Sequence, residues 1–133
     1  MMPPDDDTYR RLFKAAPGKI LVLLPRSFEI VTATDEYLAA TAKREQDIVG
    51  KRVFDVFPDD PADPLADGER NLLASLERVE ALKAPDTMGI QRYPLRSPQG
   101  TFEERFWSSM NTPVLDEHGE IEFILHRTED ITG

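Results

Sequence analysis

A chain of 133 residues with 40% hydrophobic and 31% charged side chains has the size and composition of one globular domain with a single core. Its 25 acidic against 16 basic side chains give a net charge of −9, which disfavours nucleic acid and anionic bilayers as partners, and the sequence has no basic run to override this. Absence of cysteine excludes disulfides, thiol catalysis, thiolate metal sites, iron–sulfur clusters and thiol-linked chromophores, and suits a reducing, cytoplasmic setting.

No stretch reaches the roughly 18 apolar residues of a membrane span, so no membrane contact by the domain is expected. Residues 1–7 read as a flexible acidic N-terminus without the basic and apolar regions of a secretory leader. Residues 8–17 read as a short flanking helix: Tyr9, Leu12, Phe13 and Ala16 form one apolar stripe, and Pro17-Gly18 ends it. A hairpin follows, with strands Ile20–Leu24 and Phe28–Thr34 joined through Pro25-Arg26-Ser27. Thr34-Asp35-Glu36 caps a helix entering Tyr37, a second helical piece spans Arg44–Val49 before Gly50, and Val53–Phe57 is an apolar knot ended by Pro58. After the acidic loop Asp59–Asp67, the longest helix runs to about Ala84, with Leu72, Leu76 and Val79 on its apolar side.

The last third reads as strands over Met88–Leu95, Phe102–Val114 and Ile121–Thr128, with a turn at Asp116–Gly119. Along Phe102–Val114, Phe102, Phe106, Met110 and Val114 share one face while Trp107, Ser109 and Asn111 share the other. The order β-β, three helical pieces, β-β-β predicts an α+β domain, one antiparallel sheet with helices on one face.

Three segments carry a family resemblance: Ile48-Val49-Gly50-Lys51 leading into Val53–Pro58; Phe102–Val114 with Arg105-Phe106-Trp107 and Asn111-Thr112-Pro113-Val114; and the terminal Glu129-Asp130-Ile131-Thr132. In this order they resemble a PAS, or sensory-box, domain of the kind found in bacterial sensor and hybrid histidine kinases. The resemblance covers about Tyr9 to Thr132, with residues 18–132 as the core. It implies a five-stranded antiparallel sheet cupped by helices around a small cavity. It also implies that Asp130, Ile131 and Thr132 hand a signal to a downstream effector in the same protein, so that the chain reads as an excised, non-catalytic sensor module of a two-component system.

The expected pocket lining is Phe54, Leu72, Leu76, Ile90, Phe106 and Met110, with Arg92, Tyr93 and Asn111 as polar contacts; the same side chains could instead fill the core. The sheet is apolar on both faces, and Tyr9, Leu12, Phe13, Trp107 and Ile124 are the expected flanking-helix or homodimer interface. Haem is disfavoured because the long helix has no histidine, and covalent flavin because there is no cysteine. The acidic loop lacks calcium-loop spacing, and His118 and His126 alone make a poor metal site. Any cofactor or small-molecule ligand is left open. The rival readings are a ligand-free interaction domain and a small α+β enzyme with a cavity, which the apolar interior disfavours.

Overall fold

The computed structural model describes residues 5–132; the expected flexibility of residues 1–4 lies outside them. Helix α1 (Asp6–Ala15) precedes β1 (Lys19–Leu23) and β2 (Ile30–Ala33), which lead to α2 (Asp35–Thr41), α3 (Glu45–Ile48), α4 (Val53–Val56) and α5 (Gly68–Leu82). Strands β3 (Asp86–Thr87), β4 (Gln91–Arg92), β5 (Leu95–Arg96), β6 (Phe102–Glu103), β7 (Phe106–Leu115) and β8 (Ile121–Asp130) complete the chain.

The main sheet is antiparallel, in the order β2-β1-β8-β7-β3, with β4 also paired to β7. The five expected positions are there, but the fifth is shared by two short strands. Asp86 and Thr87 pair with Asn111 and Met110, and Gln91 and Arg92 pair with Trp107 and Phe106. The single strand expected over Met88–Leu95 is therefore broken, and Leu95 leaves the sheet to form a separate hairpin, β5–β6.

Local chemistry sets the element ends. Asp5 caps α1 by accepting the Thr8 amide at 2.8 Å, and Thr34 caps α2 by accepting from Tyr37 N at 3.3 Å. Phe28 takes φ +58°, so β2 starts at Ile30 rather than at Phe28. The start of α5 is held from a distance: the Asp59 carboxylate accepts the Glu69 amide at 3.2 Å while Glu69 accepts the Asp59 amide at 2.9 Å. Asp67, the N-cap residue, makes no side-chain cap bond. Gly68 is required there, because a Cβ would sit 2.5 Å from the Tyr93 ring.

The core lies between the helices and one face of the sheet. Leu21, Leu23 and Ile30 from β1 and β2 meet Leu72, Leu76 and Val79 of α5, with Ile124 of β8 fully buried among them. Helix α1 packs beside α2. Lys14 tethers it beside α2 and α3, donating to Ala33 O at 3.0 Å and pairing with Glu45 at 3.0 Å and Asp35 at 3.8 Å. Tyr9 and Leu12 stay 54% and 59% exposed. No helix among the described residues is long and apolar enough to cross a membrane.

Candidate functional site

A pocket of about 50 Å³ lies between the helical layer and the inner face of β7–β8. Tyr37 of α2, Phe57 after α4, Leu72 of α5, Tyr93, Trp107 of β7 and His126 of β8 are among its walls. That volume holds a few waters or a very small molecule. Trp107 Nε1 donates to Tyr93 O at 2.9 Å, and the Tyr93 hydroxyl donates to Phe57 O, so the indole and phenol are fixed by the backbone they touch.

Behind the pocket wall a chain of buried polar groups crosses the domain. His126 Nδ1 is 2.7 Å from Asn111 Oδ1, Asn111 Nδ2 donates to Ser75 Oγ at 2.8 Å, and Ser75 Oγ donates to Asp86 Oδ2 at 2.6 Å. Arg78 closes the chain on the surface with two 3.0 Å bonds to Asp86. The donor order is forced: the amide oxygen of Asn111 only accepts, so Nδ1 of His126 carries the proton and Nε2 is left as an acceptor. Burial lowers the His126 pKa to about 4, so the ring is neutral near pH 7. Arg78 and then Ser75 hold the Asp86 carboxyl below its usual range, and burial raises the pKa of the Tyr37 phenol. Among the described residues neither Tyr37 Oη nor His126 Nε2 has a protein partner, yet no fully buried side-chain polar atom is orphaned. Both side chains line the pocket, which makes these two atoms available to hydrogen-bond there.

The expected pocket residues are only partly gathered there. Leu72 and Tyr93 line the pocket, Leu76 and Phe54 sit in or against the adjoining core, and Asn111 stands one layer back, bonded to His126. Ile90 is 69% exposed. Arg92 turns away to bind Asp63 at 2.7 Å and Glu104 at 2.9 Å. Phe106 and Met110 lie on the outer face of the sheet, Met110 39% exposed. Conversely Trp107 and Ile124, placed on an outer interface by the sequence, face the helices and are buried. The strand parity is the reverse of the expected one, because the polar members of the inner row satisfy one another. Ser109 Oγ and Thr128 Oγ1 are 2.8 Å apart, and Asn111 pairs with His126. Tyr37 and His126 were missed as pocket groups. The signal for His126 was its shared parity with Ile124 and Thr128 on β8.

The terminal segment is stitched to β7. Ile131 N donates to Phe106 O at 2.9 Å, and Phe106 N donates to Thr132 Oγ1 at 2.8 Å. The Asp130 carboxylate accepts from Thr132 N at 2.9 Å and pairs with Arg105 at 3.4 Å. Burial pushes its pKa up, but the Thr132 bonds and the Arg105 charge outweigh that and leave it below the usual value.

The model of the PAS fold family matches residues 13–133. The PAS domain of the fruit-fly ELK potassium channel superposes with a TM-score of 0.68 at 16% identity, covering 98% of this chain and 100% of that one. A PAS domain from Colwellia psychrerythraea gives 0.68 at 15% identity, covering 95% and 96%. A sensory-box sensor histidine kinase structure from Vibrio cholerae gives 0.62 at 12% identity, covering 94% and 90%. No curated protein matches the sequence. With a mixed helical and antiparallel architecture and a family match spanning all but its first helical turns, the chain belongs to the PAS family.

Proposed function

We propose that this PAS domain is a sensory and dimerisation module that relays a signal to an effector following it in the same protein, of histidine-kinase type in a two-component system in the cytoplasm. The observation that carries the reading is the seam between the pocket wall and the terminal segment. Trp107 walls the pocket, its neighbour Phe106 exchanges hydrogen bonds with Ile131 and Thr132, and Arg105 holds Asp130. A shift of β7 at the pocket is thereby passed to residues 130–132. A ligand that binds one position of β7 more tightly moves the population between two states. No chemical step is required of the domain itself.

The small pocket volume favours a second reading, an interaction module with a nearly filled core. In that case the input is a partner on the outer sheet face, and the same seam carries the output. The homodimer belongs to both readings: Phe106, Met110, Val114, Phe123 and Leu125 form an apolar face that stays partly open to solvent.

The test is Arg105→Gln in the parent protein, with effector output measured with and without the input. Loosening the seam should change the ratio of the two output states at least about threefold, which corresponds to somewhat under 1 kcal/mol of coupling. An unchanged output in both states, with the protein folded, rejects the relay.

A further inference from the structure

A groove of about 540 Å³ runs between the α2–α4 segment and the β5–β6 hairpin, and its walls carry Lys43, Arg44, Lys51, Arg96 and Arg105. In a chain of net charge −9, this is a local reversal of sign. Three carboxylates share the walls, Asp47, Asp55 and Glu103, so five cations against three anions leave an excess of two positive charges. Arg44 is engaged by Asp47 at 2.8 Å, and Arg105 by Glu103 at 3.0 Å and Asp130 at 3.4 Å. Lys43, Lys51 and Arg96 form no ion pair and no side-chain hydrogen bond among the described residues.

Arg96 and Lys51 both act on Lys43. The Lys43 ammonium is held 5.8 Å over the Phe57 ring, and its pKa is lowered first by burial and then by the charge of Arg96, with Lys51 adding to it against Asp47. Asp47 offsets this in part but is itself bound by Arg44, and an added anion relieves the remaining repulsion. The walls between them are apolar, with Ile48, Val56, Leu95 and Pro98, and the volume falls within the range of small-molecule sites. Thr41 and Leu95 also wall the interior pocket, so the groove backs directly onto it.

We propose that this groove binds a phosphomonoester dianion with a small apolar body, its phosphate held by Lys43, Lys51 and Arg96. A phosphate offers three terminal oxygens to three separate donors that form no ion pair among the described residues, while Leu95 and Pro98 meet the carbon skeleton. A long polyanion such as nucleic acid fits poorly, because the interleaved carboxylates and the acidic remainder of the chain repel it. Binding requires only the groove; Arg105, which walls it, also holds Asp130 in the relay, so the variants that test the site are placed at Lys43 and Arg96.

The test is titration of the isotope-labelled chain with inorganic phosphate, phenyl phosphate, succinate and acetate at equal low ionic strength, followed by amide shifts. Expected are saturable shifts confined to the groove, tighter binding of phenyl phosphate than of inorganic phosphate, and acetate weaker by at least about tenfold. Lys43→Gln and Arg96→Gln should each weaken phenyl phosphate about tenfold, the effect of losing one charge-assisted bond. Arg70→Gln, an exposed cation on α5 outside the groove, should leave it unchanged. Succinate binding as tightly as phenyl phosphate overturns the phosphate assignment. Equal weakening by Arg70→Gln, shifts spread over the surface, or no saturable binding of either phosphate overturns the site.

Discussion

The two faces of the β7–β8 ladder invert the usual relation between polarity and burial. On the inner face Trp107, Ser109, Asn111, His126 and Thr128 carry polar atoms, and all five are buried. On the outer face Phe106, Met110, Val114, Phe123 and Leu125 are apolar, and all stay at least partly open to solvent. Cover and pairing, rather than hydropathy alone, decide which face is interior. The inner row lies under α5 with its hydrogen bonds completed by residues distant in sequence, while the outer row stays partly open to solvent.

The largest expected effect comes from breaking the pairing on the inner face. Asn111→Ala removes the group between His126 and Ser75, leaves both without their partner and opens a void. The cost should be about 4 kcal/mol in urea unfolding. Met110→Ala, one residue away on the other face, should cost less than about 1 kcal/mol, since Met110 is 39% exposed. Equal costs would erase the distinction between the faces.

The second effect is a dependence on pH. His126 titrates at about 4 in the fold against an ordinary 6.5, so between these values the unfolded chain binds the additional proton. Stability therefore rises with pH through this window. The contribution is fully present above about 6.5 and is lost as pH falls toward 4, by about 3 kcal/mol in all. His126→Gln should flatten that slope. Asp86, Asp130 and Glu45, whose carboxyls are held below their usual values, lose their contribution only at more acid pH, as it falls through their lowered folded values. A wild-type stability that is flat between pH 6.5 and 4.5 would show that the imidazole is not sealed in the fold.

Much of the architecture was legible in the sequence. The apolar spacing of Leu72, Leu76 and Val79, the Thr34 cap and the Asp116–Gly119 turn are local signals, and the elements they specify lie where they point. Strand parity on β7 was not legible, because the residues that make its polar row acceptable in the core are remote: Ser75 reaches Asn111 from 36 positions away. The cationic groove was hidden for the same reason. Lys43, Lys51, Arg96 and Arg105 form no basic run in the sequence and meet only when the β5–β6 hairpin folds over α2–α4. The tether of α1 was not legible either: its Tyr9-Leu12-Phe13 stripe is the local signal, whereas the contacts that hold it within the chain include ion pairs and a backbone bond from Lys14.

The smallest effect on folding should come from the outer face, where self-association is the sharper readout. Phe123 stands opposite Val114 in the ladder, and Leu125 lies between Val22 and Thr112, so the four apolar side chains among these are contiguous across three strands. Phe123→Glu places a charge at the centre of that patch. In a monomer the carboxylate can reach water, and the cost in unfolding free energy should stay near 1 kcal/mol. In a sheet-to-sheet dimer the same carboxylate would be desolvated opposite its own copy, and association should weaken at least tenfold in sedimentation equilibrium. A wild-type chain that remains monomeric at high micromolar concentration would mean that this face is covered by something other than a second copy. A dimer unaffected by Phe123→Glu would move the interface elsewhere, with the exposed Tyr9 and Leu12 of α1 as the next apolar surface to probe.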